Sequence, residues 1–350
     1  MKINLEKRKI KDVEIMKKNM NITILGAGGW SIALAVLLEG NGHNVTIWSK
    51  LQNEVDMLNE KRENSVSLPG VIIPESINIT SNLESAVKDK DILVMATASR
   101  FVRSVASSLK GIVPDGQIIV NVSKGIEEAT LMTLSKVISD ELTNAQVAVL
   151  YGPSHAEEVS KGLPTACVAA AENIEIANLI QNTFMSRSFR IYTSTDVTGV
   201  ELGGSLKNVI ALAAGMADGI GFGDNSKAAL ITRGLAEMKR LGVAMGAHHD
   251  TITGLSGIGD LIVTCASMHS RNRRAGILMG KGYTMDEAMK EVNMVVEGVY
   301  SAKAALELGK KYNVSLPIIE QVNKVLFEGK TVEDAVVDLM IRDKTSEITN

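Results

Sequence analysis

A short β-branched run, Asn21-Ile22-Thr23-Ile24-Leu25, ends in Gly26-Ala27-Gly28-Gly29-Trp30-Ser31 and passes at once into a helical pattern that lasts to Gly40. Few local patterns restrict a chain so strongly. A glycine-rich turn between strand and helix lets backbone approach a pyrophosphate, and the helix N-terminus favours the negative charge. Gly26 and Gly28 are the candidate cofactor contacts that this geometry requires. The usual G-x-G-x-x-G spacing has a third glycine where this chain has Ser31. A small residue there still permits close helix–strand packing. The bland alternative is a tight turn with no ligand. The turn's position after the first strand of an α/β pattern favours the dinucleotide reading.

Further apolar runs follow at 45–48 (VTIW), 91–96 (DILVMA), 117–121 (QIIVN), 146–150 (QVAVL), 165–170 (TACVAA) and 189–193 (FRIYT). Helical stretches separate most of them. This alternation predicts a parallel sheet covered on both faces. Beyond about residue 196 the β-branched runs nearly vanish. Val197–Leu241, and the chain from Ser301 onward, repeat at helical spacing. The expected fold is an α/β Rossmann-type dinucleotide-binding domain (21–195) followed by an all-α C-terminal domain (196–345). Residues 1–20 read as a charged N-terminal tail, without the apolar stretch of a signal peptide.

Composition narrows the partners. The net charge of -3 over 350 residues does not call for a nucleic-acid or membrane surface. No stretch reaches the eighteen or so apolar residues of a membrane span. Cys167 and Cys265 lie in apolar runs with no close Cys or His pair, so no metal site is expected. They read as reduced core thiols, which suits the cytoplasm.

Two lysines stand out. Lys124 lies just past the strand QIIVN, at the carboxyl edge of the sheet where ligands bind in open α/β folds. Lys207 sits in GVELGGSLKNVIALAAGMADGIG, beside a buried stripe of Leu202, Leu206, Val209 and Ala213. Its neighbours one turn away include Gly203 and Gly204, which leave room for a ligand. Burying a charge is costly unless it is paired, and the rival reading has Lys207 snorkelling to the surface. Ser154 precedes Glu157 by three residues, so it reads either as a capping box or as a ligand contact. His155 beside it is weak evidence for a general base. Asp260 either caps the apolar run that it opens or pairs with a lysine. Ser270-Arg271-Asn272-Arg273-Arg274 suits a phosphate monoester dianion, because arginine offers bidentate contacts. A solvated basic face is the bland alternative. RNA binding is disfavoured by the near-neutral charge and the absence of interleaved aromatics. At the second strand's end, Ile47-Trp48-Ser49-Lys50 offers no carboxylate for the ribose of NAD. Lys50 points instead to the 2′-phosphate of NADP, and a plain surface lysine is nearly as good a reading.

Together these segments resemble the bacterial NAD(P)-dependent glycerol-3-phosphate dehydrogenases from about Asn21 to about Leu339. The resemblance rests on GAGGWSIALA, NVSKGIE, YGPSHAEEVSKGLPTA, the long segment from Gly199 to Met238, GLSGIGDLIVTC, SRNRR and VVEG. It implies interconversion of sn-glycerol 3-phosphate and dihydroxyacetone phosphate with NADP or NAD, supplying glycerol 3-phosphate for glycerophospholipid synthesis. Lys207 then matches the proton acceptor. Lys124, Gly152, Ser154, Lys207, Asp260, Ser270, Arg271 and Asn272 match substrate-binding positions. Gly29, Trp30, Lys50, Lys124, Ala156, Arg271, Val295 and Glu297 match cofactor-binding ones. The family usually has Ser and then Gly where this chain has Gly29 and Ser31, which bears on the detail of the pyrophosphate contact. A homodimer is the family expectation. Two rivals remain at this level. One is a dehydrogenase for another hydroxy acid on the same plan, and the other is a non-catalytic dinucleotide-binding regulator.

Overall fold

The computed structural model describes residues 19–344 and 346–347. The tail expectation for residues 1–20 therefore falls outside the described residues, apart from Asn19 and Met20. Eight strands form one sheet: β1 (Asn21–Leu25), β2 (Asn44–Trp48), β3 (Asn78–Thr80), β4 (Ile92–Met95), β5 (Ile118–Asn121), β6 (Gln146–Tyr151), β7 (Thr165–Ala171) and β8 (Phe189–Ser194). The order is β3-β2-β1-β4-β5-β6-β7-β8. The last four residues of β1 and β2, and all of β4, are buried, as expected for strands covered by helices on both faces. Ile22, Ile47 and Val94 pack into one layer, and Leu25, Trp48 and Met95 into the other.

The all-parallel expectation needs one correction, because β7 runs antiparallel to β6. A parallel return needs a crossover of a dozen or more residues, usually built on a helix. Here the connection holds only the single helical turn Ala156–Val159, and the chain folds straight back. The three-residue β3 also escaped the sequence reading.

The order reverses between β1 and β4, which makes a crevice at their carboxyl ends. Gly26 sits there with φ +130, and a Cβ on it would lie 2.7 Å from the Ala96 carbonyl oxygen at the end of β4. Only glycine fits that position. Ser31, fully buried, donates from Oγ to the same carbonyl at 3.3 Å. A small residue therefore does serve where the third glycine is usual.

The helical part begins at Asp196, whose Oδ1 accepts from Gly199 N at 2.8 Å and caps the central helix Val197–Gly219. A buried stripe was expected. Instead every residue from Gly199 to Ala217 is buried. The helices Asp224–Ala244, Asp260–Ala266, Arg271–Gly280 and Glu297–Lys311 enclose it. The third of these comes closest. A Cβ on Gly215 would lie 2.1 Å from Arg273 O, and one on Gly276 would lie 2.2 Å from Leu212 O. Backbone-to-backbone contact thus fixes the Arg271–Asn272 segment beside Lys207.

Candidate active site

The carboxyl ends of β1, β5 and β6 carry the polar groups. After β1, the helix Gly29–Gly40 starts with Gly28 as its N-cap, and no side chain caps it. Its first orphan amides are therefore available to a ligand. The two central glycines differ. A Cβ on Gly28 would meet nothing within 4 Å, whereas one on Gly29 would strike the Ser67 carbonyl oxygen at 2.5 Å. Gly28 leaves open space in front of uncapped amides, and this fits a dinucleotide pyrophosphate. Gly29 is instead explained by the loop packed against it. Trp30 is half-buried. Lys50, just past β2, is exposed and has no ion pair among the described residues.

Past β5 the loop Val122–Gly125 carries Lys124. Its Nζ donates to Asp260 Oδ2 at 2.6 Å and to the Gly152 carbonyl at 3.2 Å. Lys207 Nζ donates to the other carboxylate oxygen, Oδ1, at 2.5 Å and to Thr264 Oγ1 at 2.8 Å. Thr264 Oγ1 in turn donates to the Asp260 carbonyl at 2.6 Å. One carboxylate thus bridges two lysines from the two halves of the molecule. Lys207 does not snorkel, since its side chain is 7% exposed and that of Asp260 is 2%.

Burial pushes Lys207 down from 10.5 to about 8, with help from the Lys124 cation and against the pull of Asp260. Burial alone would raise Asp260, but the two lysines more than offset it and hold the carboxyl below its usual range. His155 is lowered by burial and then by Lys207, and its Nε2 is buried without a hydrogen-bond partner. Its ring tilts against His269, with centroids 5.8 Å apart. Cys167 and Cys265 are buried free thiols, both pushed up to about 12 by burial.

Several expected local roles change. Ser154 makes no capping box. The following helix is one turn long with His155 at its N-cap, and Ser154 Oγ donates to the Gly152 carbonyl at 3.0 Å. Asp260 is the first residue of its helix rather than its cap, so the carboxylate is left to the lysines. Gly203 and Gly204 make room for protein, not ligand. A Cβ on Gly203 would lie 2.7 Å from Ser256 O, and one on Gly204 would lie 2.8 Å from the Tyr151 ring.

The basic cluster divides. Ser270 caps its helix by accepting from Arg273 N at 3.2 Å. Asn272, buried, donates to Asn208 Oδ1 at 3.0 Å and accepts from Gly298 N at 2.8 Å. Arg273 grips Asp218 with Nε at 2.8 Å and a terminal nitrogen at 2.7 Å. Arg271 keeps its guanidinium free of ion pairs among the described residues, in the field of Glu297 and Glu157. Glu297 accepts from Ser99 N at 3.1 Å and from Ser99 Oγ at 2.5 Å. It stands next to the Lys124 loop, 3.8 Å from where a Gly125 Cβ would be. Val295 and Ala156 are half-buried nearby in sequence to Glu297 and His155. The structure thus joins Lys124, Lys207, Asp260, Gly152 and Ser154 in one bonded cluster, and links Asn272 to the residue after Lys207. Lys50 stands apart from that cluster.

Sequence reading missed Thr264, although it lies four residues after Asp260 on one helix face, a spacing that brings side chains together. It also missed Asn208, Ser99 and the buried set Asn121, Tyr151, Glu201 and Ser205. Apart from the Asn121–Ser123 contacts, their partners lie far away in sequence.

Two family models match. The N-terminal model of the NAD-dependent glycerol-3-phosphate dehydrogenases covers residues 21–177, and the C-terminal model covers 196–337. The chain belongs to this glycerol-3-phosphate dehydrogenase family. It is 62% identical over 331 residues to glycerol-3-phosphate dehydrogenase [NAD(P)+] of Fusobacterium nucleatum, covering 94% of this chain and 99% of that one. The protein of the same name from Agathobacter rectalis is 59% identical over 326 residues, covering 93% and 97%. The crystal structure of glycerol-3-phosphate dehydrogenase from Coxiella burnetii superposes with a TM-score of 0.90 at 35% identity, covering 93% of this chain and 99% of that chain. A D-mandelate dehydrogenase, at 14% identity and a TM-score of 0.59, shares the fold alone.

Proposed function

We propose that the chain interconverts sn-glycerol 3-phosphate and dihydroxyacetone phosphate with NAD(P), with Lys207 as the proton-transfer residue. The observation that carries this reading is the Asp260 carboxylate holding Lys207 and Lys124 together at the carboxyl edge of the sheet. In ketone reduction the Lys207 ammonium polarises the C2 carbonyl and gives its proton to the oxygen as that oxygen gains charge. In alcohol oxidation the neutral amine takes the hydroxyl proton. The nicotinamide that the β1 turn and its partner residues would hold would supply or receive the hydride at C2. Lys124 keeps the Lys207 proton loosely held, and Asp260 fixes the direction of both ammonium groups. A pKa of about 8 lets Lys207 work in either direction near neutral pH. Arg271, with no ion pair to break among the described residues, suits the phosphate, while Asn272 and Ser270 shape its surroundings. Remote binding of that phosphate orients the reacting carbon.

Gly26, Gly28, Gly29, Trp30, Lys50, Lys124 and Ala156, on residues 21–195, are assigned to the cofactor together with Arg271, Val295 and Glu297 from residues 196–345. The substrate residues, apart from Lys124, Gly152 and Ser154, lie on residues 196–345. NADP is the favoured cofactor because β2 is followed by Lys50 rather than a carboxylate. A cytoplasmic homodimer that supplies phospholipid synthesis completes the proposal. No single helix among the described residues is long and apolar enough to cross a membrane.

The test is a steady-state assay of dihydroxyacetone phosphate reduction, with NADPH and NADH side by side. Ketone-dependent cofactor oxidation is expected with both, and faster with NADPH. Cofactor binding without ketone-dependent oxidation would favour the regulator reading. Turnover only with a carboxylate-bearing ketone would favour the other hydroxy acids.

A further inference from the structure

The central helix carries Lys207, and it also grips the loop that carries Lys124. That loop, residues 122–125, lies in no strand or helix, although Val122 N still donates to Met95 O at 2.9 Å and Ser123 Oγ to Thr97 O at 2.6 Å. The central helix adds a hold on either side of Lys124, from two positions on one face.

The first is Glu201, which is 1% exposed. Its Oε1 accepts from Ser135 N at 2.9 Å and from Asn121 Nδ2 at 3.4 Å. Its other oxygen accepts from Ser135 Oγ. Asn121 Oδ1 accepts from Ser123 N at 3.1 Å, while Nδ2 donates to Ser123 O at 3.2 Å and to the Tyr151 hydroxyl at 2.8 Å. The Tyr151 hydroxyl donates to Ser123 O as well. The N–H and C=O of the residue before Lys124 are thereby both fixed. The second is Ser205, four residues along the helix. Gly125 N donates to Ser205 Oγ at 3.1 Å, and Ser205 Oγ donates to Gly125 O at 3.0 Å. The residue after Lys124 is fixed in the same way. Between them the Lys124 ammonium lies 5.6 Å from the centre of the Tyr151 ring, and that ring also packs against the central helix at Gly204, 2.8 Å from where a Cβ would be.

We infer that Glu201 and Ser205 are positioning residues, which set Lys124 against Lys207 and Asp260 and so tie both lysines to one rigid helix. The inference rests on the roles proposed above for the two lysines. Asp260, Cys265, Lys124, His155 and Cys167 are the titratable groups that face Lys207. Among them, the Lys124 cation lowers the Lys207 pKa. Displacing Lys124 removes that influence and frees the whole Asp260 carboxylate for Lys207. Both changes move the Lys207 pKa up.

The test compares Ser205→Ala, Glu201→Leu and Glu201→Gln with wild type. In Ser205→Ala and Glu201→Leu, the alkaline limb of ketone reduction should move up by about half a pH unit or more, with KM for dihydroxyacetone phosphate raised severalfold. NADPH affinity, read by fluorescence, should stay within about twofold of wild type. Glu201→Gln keeps the shape and one acceptor, so it should restore the wild-type limb. An NMR titration of the Lys207 side chain in 13C-lysine protein reads the same upward shift with neither substrate nor cofactor present. Folded Ser205→Ala and Glu201→Leu proteins with an unmoved limb and an unmoved NMR titration would overturn the inference. If Glu201→Leu does not fold, Ser205→Ala decides alone. Wild-type protein that fails to reduce the ketone would sink the proposed function instead, and the NMR titration would still judge the positioning.

Discussion

At the end of β1 the protein presents backbone to a ligand, whereas around Lys207 it presents side chains. The β1 turn is open. Its helix is uncapped, and nothing stands within 4 Å of where a Gly28 Cβ would be. The lysine centre is closed. Both oxygens of Asp260 are taken, and Lys207 donates to Thr264 as well. The difference fits the role proposed for each. A pyrophosphate brings its own charge, so amides without a carboxylate nearby suffice. A buried proton carrier must be charged and uncharged in turn, so it needs a counter-ion whenever it is charged. With both lysines protonated the two ammonium groups and one carboxylate leave a net single positive charge, which vanishes when Lys207 gives up its proton. The pocket therefore has surplus positive charge in the state that reduces a ketone.

The largest expected effect comes from breaking the closed half. Lys207→Ala should lower kcat by about a hundred- to ten-thousandfold, the usual range for a lost acid–base group. NADPH affinity should be nearly unchanged, because that half is backbone. Wild-type pH profiles sharpen the same point. Reduction needs the ammonium, so it should fall as pH rises through about 8. Oxidation needs the free amine, so it should rise over the same range. Near-normal turnover in Lys207→Ala, or two limbs of the same sign, would remove Lys207 from proton transfer.

Asp260→Asn is the next break. It takes away the group that raises the Lys207 pKa and leaves one buried and one half-buried ammonium group without a counter-charge. The reduction limb should therefore move below 8, and unfolding free energy should fall by about 3 kcal/mol. Denaturant titration alongside the pH profile checks both. A limb that moved upward would contradict the proposed balance between Asp260 and burial.

The same contrast governs what the amino-acid sequence made legible. The strand, turn and helix from Asn21 to Gly40 are local, so hydrophobic period and glycine spacing suffice to place them. The depth of Lys207 was legible too, since its own helix is apolar around it. Its counter-ion was only one of two readings, because Asp260 lies 53 residues away and opens a helix of its own. Gly203 and Gly204 announced that something comes close, but a missing side chain cannot say what, and Ser256 and Tyr151 fill the space. Ser154 and Glu157 satisfied a capping pattern, yet the helix there is one turn long and starts a residue late. The direction of β7 depends on the connection before it, not on its own residues. Nothing in its own helix singles out Glu201, because all its partners lie on the other half of the molecule.

Breaking the open half should have a smaller effect, and two adjacent glycines separate binding from folding. Gly28→Ala puts a methyl group into empty space. Stability should hold, while cofactor affinity falls roughly tenfold, or about 1.4 kcal/mol. Gly29→Ala drives the same methyl group against the Ser67 carbonyl. It should cost about 1–3 kcal/mol of stability, a shift of several degrees in Tm. Calorimetry and fluorescence titration on both variants decide the matter. The reverse pattern would mean that the cofactor does not approach over Gly28.

The smallest effect belongs to the edge of the open half. Lys50 is exposed and unpaired among the described residues, so whatever it gives a ligand is weakened by water and salt. An exposed ion pair seldom changes affinity by more than about fivefold. Lys50→Ala should therefore lower kcat/KM for NADPH by about that factor and leave NADH unaffected. The NADPH effect should shrink as salt is raised, because a 2′-phosphate contact is a charge contact. Backbone contacts at Gly28 carry no such salt dependence, so the Gly28→Ala loss should persist across the same series. If the NADPH/NADH ratio is the same in Lys50→Ala as in wild type at every salt concentration, cofactor choice lies elsewhere along the rim of β2, and Lys50 is only a surface lysine.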